Sequence, residues 1–360
     1  MPISTASRRG ESIQNKNNIT IRDIADRVGV SKTTISRYLN GKYQYMSKET
    51  QLRIKEAIEC ANFRPNKLAN SLKTSKSGLI GLVLSDVTAV LAPYIIGSVS
   101  STAGKHDKQV IVVNTNGNPE REISLVNDLL DQQVEGLLVG SGYNSDYYLA
   151  LNETRCPVVL ISRVNECRSI DSVYINHREA TGLLIEHLIA SGFKRILIAS
   201  TLGHDESSTI TDRERAAVNA CERHRGEGVE NSLFLIENNK PNASLGSLQA
   251  KHVEQIQDIL KLANAESRKE KTAIFVAATV LMVEFLCCSY QLGIPLSDRF
   301  TIAGYDTYHF AAFVTPHINV IEQPIMEVGK IATERLLERI SAAESLPVQE
   351  TILKCKLSLQ

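Results

Sequence analysis

The hydrophobic period of this chain changes once, near Gly78, and that change limits what it can fold into. Before it, Ile21, Ile24, Ala25 and Val28 fall at i, i+3, i+4 and i+7, the one-sided apolar stripe of a helix. After it, short apolar runs alternate with amphipathic stretches. That alternation is the mark of strands buried on both faces and joined by crossover helices. The spacing thus predicts a small helical module followed by a parallel α/β core. With 360 residues in all, the core is long enough for two such subdomains.

Within the helical module the start and stop signals are explicit. Thr20-Ile21-Arg22-Asp23 places a carboxylate three residues after a hydroxyl, a shorter-armed relative of the capping box, so a helix begins near Ile21. Gly29 ends it, Val30 turns back to the core, and Ser31 caps a second helix from Lys32 to Leu39 that buries Ile35 and Leu39. Asn40-Gly41 stops this second helix. A third, from Ser47 to Ala61, carries Leu52, Ile54, Ala57, Ile58 and Ala61 as its apolar set. Helix, tight glycine turn, helix is helix-turn-helix spacing. Arg64 to Lys73 then reads as a short helix headed by Pro65, with Thr74 to Gly78 as linker. So brief a helix is marginal alone because nucleation is costly, and it would fold best on a surface.

Charge points the same way. The 40 basic and 40 acidic residues cancel, but residues 1–76 hold 15 Lys and Arg against 6 Asp and Glu, leaving +9 there and −9 in the remainder. A basic module on an acidic body is the electrostatic footprint of phosphate neutralisation, although a merely solvated Lys-rich surface would give the same count. The longest apolar run, Ala273 to Val283, stops at Glu284, short of the roughly 18 to 20 residues that cross a bilayer. Residues 1–18 are polar, with no apolar segment of a secretory signal, and are expected to be a disordered arm; a cytoplasmic location and no membrane contact follow as expectations. The seven cysteines show no C-x-x-C and no His/Cys pairing at zinc spacing, so no disulfide, structural metal or other cofactor is expected.

In the core, strands are predicted at Leu79 to Leu84, Val110 to Asn114, Gly136 to Val139, Val158 to Ile161, Ser172 to Ile175, Arg195 to Ala199, Leu233 to Ile236, Ala273 to Ala277 and Phe300 to Gly304. Helices include Pro119 to Gln132, Arg178 to Ser191, Asp212 to His224, His252 to Leu262, Thr279 to Gln291 and Ile325 to Ala342. No G-x-G-x-x-G follows the first strand and no G-x-x-x-x-G-K-[ST] occurs, so a nucleotide site is unsupported. Nothing assembles a nucleophile, a base and oxyanion donors at recognisable spacing, and no enzymatic activity is expected.

Residues 19 to 73 resemble the DNA-binding headpiece of the LacI/GalR family of bacterial repressors. The resemblance rests on Thr20-Ile21-Arg22-Asp23-Ile24-Ala25, the run Gly29 to Gly41, Arg64-Pro65-Asn66 and Leu68-Ala69-Asn70-Ser71-Leu72. It implies a helix-turn-helix domain over 19–63 and a hinge helix with linker over 64–77. The second helix would enter the major groove, with Lys32, Thr33 and Arg37 reaching base edges; Arg or Lys suits guanine and a Thr methyl suits thymine. Thr20, Ser31, Thr34 and Asn40 would hold phosphates. Asn66, Ala69, Leu72 and Lys73 would lie in the minor groove, Leu72 wedging into a base step. One departure is the long aromatic loop Lys42-Tyr43-Gln44-Tyr45-Met46, which could touch the DNA backbone or simply pack on its own helix.

The core resembles the same family, and through it the periplasmic sugar-binding-protein fold. Among the matching pieces are Pro119-Glu120-Arg121-Glu122, Val134 to Val139, Pro157 to Arg163, Gly304-Tyr305-Asp306 and Ile321-Glu322-Gln323-Pro324. This implies two parallel-sheet subdomains within 78–360: an N-subdomain of about 78–177 and 323–351, and a C-subdomain of about 178–322 and 352–360. Three crossovers would fall near His177, Glu322 and Thr351, with a ligand cleft at strand C-terminal ends.

A sugar or sugar acid asks for carboxylates and amides to accept hydroxyl protons and for Arg to grip an acid. Strand ends and the resemblance single out Asp86, Asn116, Arg163, Arg213 and Asp306, with Arg215 in reserve if the register slips by two; each could instead be a salt bridge or a loop cap. Departures from the family pattern at Val87 to Ala92, at Ala278-Thr279 and at Asn176-His177 leave the effector unnamed, and His177 reads as a surface or loop-capping residue, with a pH-sensitive hinge contact as the alternative. The expected function is a transcription regulator, most simply a repressor. A homodimer would bind double-stranded, pseudo-palindromic operator DNA and answer to a small effector, a sugar or sugar acid. The rival readings are a regulator controlled by a protein partner or phosphorylated metabolite, and a sugar-binding module without gene control.

Overall fold

Thr20 and Asp23 close a full capping box on the first helix, α1 (Ile21–Val28): the Thr20 amide donates to Asp23 Oδ2 at 2.7 Å and the Asp23 amide donates to Thr20 Oγ1 at 3.3 Å. The short Asp arm suffices. Gly29 ends α1 in the left-handed region, φ 73°, a conformation that an L side chain resists. Ser31 Oγ then accepts the Thr34 amide and starts α2 (Lys32–Leu39), and Ser47 does the same for α3 (Lys48–Cys60). Ile24, Ala25, Val28, Ile35, Ile54, Ala57 and Phe63 form the core of this three-helix unit. Leu52, expected inside, stands 57% exposed, because Ile54 and Ala57 define the buried side of α3 and Leu52 falls off it. Arg53 adds a fastening with no local signature: its Nη2 donates to the Val28 carbonyl at 2.6 Å, satisfying the end of α1.

This computed structural model describes residues 19–63, 77–141, 144–154, 156–161, 169–201, 209–237, 250–305 and 318–359. The chain divides into two units, Met1–Ser75 and Lys76–Gln360. Expectations for residues 1–18, for the hinge residues Asn66, Ala69, Leu72 and Lys73, and for Arg163 and Asp306 lie outside the described residues.

The second unit holds two six-stranded sheets. The first has the order β11-β5-β4-β3-β1-β2 and the second β12-β10-β9-β8-β6-β7. Its strands are β1 (Leu79–Leu84), β2 (Gln109–Asn114), β3 (Leu137–Val139), β4 (Val158–Ile161), β5 (Asp171–Ile175), β6 (Arg195–Thr201), β7 (Glu230–Ile236), β8 (Thr272–Val276), β9 (Phe300–Tyr305), β10 (Ile318–Glu322), β11 (Glu350–Leu353) and β12 (Lys356–Ser358). Every pairing is parallel except β10 with β12.

Helices cover both faces of each sheet, which is why the central strands read as unbroken apolar runs. On the first sheet, α4 (Ala92–Gly104) and α11 (Ile325–Ser341) pack against one face and α5 (Pro119–Asp131) and α6 (Ser145–Thr154) against the other. On the second, α7 (His177–Ala190) and α8 (Thr209–Arg223) oppose α9 (Ala250–Ser267) and α10 (Thr279–Gln291). Gly304 is required between β9 and β8: a Cβ there would lie 2.5 Å from the Val276 carbonyl oxygen.

The chain passes from the first sheet to the second after β5 and returns after β10. The last passage falls between Leu353 and Lys356, with Ile352 and Leu353 still on the first sheet, paired with Tyr174 and Ile175. Strands β10, β11 and β12 and helix α4 carry weak sequence signals. Asn319 interrupts β10, β11 and β12 are short and largely exposed or half-buried, and α4 is rich in Gly and Ser. Those small residues let α4 and α11 approach closely; a Cβ on Gly329 would sit 2.9 Å from Ser98 Cβ.

Asp171 fastens the start of β5. Its carboxylate accepts from Arg335 Nε at 2.9 Å, from Arg339, and from the Gln349 amide at 2.6 Å, and its side chain is fully buried. Burial would raise its pKa; the hydrogen bonds from Arg339, Arg335 and the Gln349 amide outweigh that and hold the carboxyl below its ordinary value.

Candidate nucleic-acid interface and ligand cleft

Of the residues in α2 only Ile35 is buried, which leaves the rest of the helix to face outward or lie at the margin of the core. Lys32, Thr33 and Arg37 are exposed, as a groove-reading helix requires, and Ser36 lies among them. Ser31 and Thr34 are hydrogen-bonded to each other, Oγ to Oγ1 at 2.9 Å, at the amino end of α2. That end presents free amides and the positive pole of the helix, a place suited to a phosphate. Asn40 caps the other end, its Nδ2 donating to the Ser36 carbonyl at 2.7 Å. Thr20 sits exposed at the start of α1, where its hydroxyl is engaged by Asp23 at 2.7 Å.

The aromatic loop after α2 is ordered by its own contacts. Tyr43–Tyr45 forms a single 3-10 turn, the Tyr43 ring meets Tyr38 edge-on at 5.4 Å, and Gln51 Nε2 donates to the carbonyls of Tyr43 and Met46, each at 3.4 Å. Tyr45 lies beneath the Arg37 guanidinium, whose carbon is 4.8 Å from the ring centre. The loop therefore packs on the helix that precedes it.

In the core, the predicted effector residues occupy different environments. Arg213, on α8, is buried, whereas Arg215 is exposed. Arg213 Nη1 donates to the Ala277 carbonyl and Nη2 to Gln323 Oε1, both at 3.0 Å, and the guanidinium carbon stands 3.6 Å over the centre of the Tyr305 ring. Ala277, Tyr305 and Gln323 follow or end β8, β9 and β10, so this one side chain gathers the C-terminal ends of three strands. Its Nε is buried with no hydrogen-bond partner among the described residues, as is Gln323 Nε2. Burial lowers the Arg213 pKa from its ordinary value, while Tyr305 works against that fall.

Asp86 follows β1 and accepts from the Thr88 amide at 2.8 Å and the Thr88 hydroxyl at 2.7 Å, so it caps its own turn. Asn116 follows β2 in the left-handed region, φ 54°, and is half-buried. Both lie at C-terminal ends of adjacent strands of the first sheet.

His177 differs from its surface reading. It is buried at the first position of α7, its ring packs edge-on against Tyr305 at 5.4 Å, and its carbonyl accepts the Tyr305 hydroxyl at 3.1 Å. Asn176, not His177, caps the helix, accepting the Glu179 amide at 3.1 Å. Burial first, then the Arg213 charge, holds the His177 imidazole well below the ordinary histidine pKa. Thr181 shares a 2.8 Å hydrogen bond with the Tyr305 hydroxyl, and burial pushes the Tyr305 pKa up to about 12. Sequence reasoning missed Tyr305 and Gln323 as parts of this cluster, although both stand in the quoted Gly304-Tyr305-Asp306 and Ile321 to Pro324 motifs. Among the described residues no group of His, Cys, Asp and Glu is arranged to hold a metal ion.

Comparisons agree with this architecture. Residues 20–66 match the family described as bacterial regulatory proteins, lacI family. Residues 77–246 match the periplasmic binding proteins and sugar binding domain of the LacI family, and residues 185–359 match the periplasmic binding protein-like domain. The HTH-type transcriptional regulator KdgR of Bacillus subtilis is 31% identical over 330 residues, 91% of this chain and 93% of that protein. Catabolite control protein A of Priestia megaterium is 25% identical over 91% of this chain and 94% of its own length. The fold is also that of the lac repressor dimer crystallised with operator and the anti-inducer ONPF, at a TM-score of 0.76 and 23% identity, covering 95% of this chain and 98% of that one. The chain belongs to the lacI family of bacterial regulatory proteins, DNA-binding transcriptional regulators with a helix-turn-helix headpiece and a periplasmic-binding-protein-like core.

Proposed function

We propose that this protein is a repressor whose two copies bind a pseudo-palindromic operator and release it, or grip it, when a sugar or sugar acid closes the core cleft. The observation that carries the DNA half is α2: Lys32, Thr33 and Arg37 stand clear of the core, against which Ile35, Tyr38 and Leu39 of their helix pack. Guanidinium and ammonium groups suit guanine O6 and N7, and the Thr33 methyl suits thymine. Ser31, Thr34, Asn40 and Thr20 would set register on phosphates, and Asn66, Ala69, Leu72 and Lys73 would occupy the minor groove at the dyad.

Support for an acidic effector comes from Arg213. Among the described residues Arg213 has no carboxylate partner; a guanidinium taken from water in that state is costly, and an effector carboxylate would relieve that cost at the Nε, which has no partner among those residues. Asp86, Asn116, Arg163 and Asp306 would complete the hydroxyl contacts. Ligand would shift the angle between subdomains and so the spacing of the two hinge segments. To turn a mostly bound population into a mostly free one, it must prefer one conformer by about 5.5 kcal/mol.

The test selects genomic fragments with the full chain and then screens sugars and sugar acids for a change in operator affinity. Selective retention of a palindromic sequence, altered by one ligand class, is the expected result. Failure to prefer any duplex at low salt would refute the DNA half. Indifference to every small molecule, with operator binding intact, would transfer control to a protein partner.

A further inference from the structure

We propose that Tyr45 is a specificity-determining residue that acts through Arg37: the ring holds the guanidinium in place before DNA arrives, and the protein's choice of base depends on it. The inference rests on the reading of Arg37 as a base contact and adds to it the residue that positions it.

Four observations converge. The Arg37 guanidinium carbon stands 4.8 Å from the centre of the Tyr45 ring, within the range of an attractive cation–ring contact. Among the described residues Arg37 has no carboxylate or side-chain hydrogen-bond partner, so the ring is what restrains an otherwise exposed and flexible side chain. The Arg37 guanidinium donates no hydrogen bond among the described residues, so its N–H groups are available for a bidentate bond to a base.

Finally, the loop backbone that carries the ring is itself anchored. The Lys42 amide donates to the Arg37 carbonyl at 2.9 Å, the Met46 amide donates to the Tyr43 carbonyl at 3.2 Å, and Gln51 reaches over from α3 to the carbonyls on either side of Tyr45. Tyr43 packs on Tyr38, one residue beyond Arg37. The loop thus has a built geometry, and Tyr45, 59% exposed, is the part of it turned toward the recognition side chain rather than the core.

Restricting Arg37 before binding removes part of the entropy that a free arginine would lose in forming two directed bonds. The gain falls on the base that Arg37 reads. A partner that only screened charge, or only added bulk, would change affinity for all sequences alike.

The experiment measures base preference at each half-site position for the full-length protein on a randomised operator library, for wild type, Arg37→Ala, Tyr45→Leu, Tyr45→Phe and the double variant Arg37→Ala with Tyr45→Leu. Arg37→Ala identifies its position by flattening it. Tyr45→Leu should weaken preference at that same position by about two- to fivefold, the size of an exposed cation–ring contact, with affinity for random duplex unchanged. Tyr45→Phe, which keeps the ring, should retain the preference, and the double variant should match Arg37→Ala alone.

Loss at a different position, an additive double variant, or a gain of preference on removing the ring would overturn the proposal. A wild-type protein with no base preference anywhere would instead refute the underlying DNA reading, so the two failures are distinct. Unchanged thermal unfolding of the Tyr45 variants separates positioning from loss of fold.

Discussion

Arg213 and Tyr305 are stacked, guanidinium carbon to ring centre 3.6 Å, at a point where the ends of β8, β9 and β10 converge. The ring shields a charge that the described residues otherwise pair only with a carbonyl and a side-chain amide. Replacing Arg213 by Gln removes the charge and the bidentate fork. Operator affinity without ligand should persist, while the response to an acidic effector falls by at least about tenfold, since charged hydrogen bonds are worth roughly 1.5–3 kcal/mol. Titration of the operator complex with candidate acids measures this. An unaltered response would take Arg213 out of the effector site.

His177 gives stability a pH dependence. Its folded pKa lies well below the ordinary 6.5, so below that value the unfolded chain binds a proton that the folded chain refuses. Stability is therefore present above the unfolded pKa and declines as pH falls through 6.5, by up to about 1.4 kcal/mol per unit for this one group. Glu284, raised by burial to about 7, acts in the opposite sense between its ordinary value and 7. Comparison with His177→Gln isolates the histidine: on going from pH 7.5 to 5.5 the urea midpoint of the variant should fall less, or rise more, than that of wild type.

Ser31 has two separable duties. As N-cap of α2 its hydroxyl holds the Thr34 amide at 3.1 Å, and Ser31→Ala should cost about 1 kcal/mol. Ser31→Asp keeps the cap and adds a negative charge beside the proposed phosphate. It should melt like wild type yet bind operator more weakly, and the deficit should shrink in high salt. Far-UV melting and operator titration at two ionic strengths distinguish the duties.

On α2, Arg37→Ala should cost about 1 to 3 kcal/mol of discrimination at one half-site position. By contrast Lys73→Ala, proposed at the minor groove, should weaken binding to every sequence and reduce its salt dependence. Equal loss on specific and random duplex for Arg37→Ala would contradict the base-reading role.

Asp171→Asn leaves Arg335 and Arg339, each largely buried, facing a neutral group. Destabilisation of about 3 kcal/mol at pH 7 is expected, the size of a broken buried pair. Because the Asp171 pKa is depressed, its contribution is full above the ordinary carboxyl value of 3.8 and disappears as pH falls through the lower folded value. The gap between variant and wild type should narrow in acid, which chemical denaturation below pH 3.8 would show.

By itself the amino-acid sequence determined the kinds of element and their order. The stripe Ile21, Ile24, Ala25, Val28 and the hydroxyls Thr20, Ser31 and Ser47 specify three capped helices, and runs such as Leu79 to Leu84 specify buried strands. These are local signals, read over one or two turns or one strand. Weak ones escaped: β11 and β12 lie at sheet edges, largely exposed or half-buried, and so have no continuous apolar run to betray them.

Only the tertiary structure decided that His177 is buried, that Arg213 rather than Arg215 turns inward, that Arg37 rests on Tyr45, and that Asp171 collects two arginines from α11. The physical reason is range. Arg213 and Gln323 are 110 residues apart and Asp171 and Arg335 are 164 apart. No periodicity encodes such meetings; they exist because two parallel sheets bring strand ends together that the chain keeps distant.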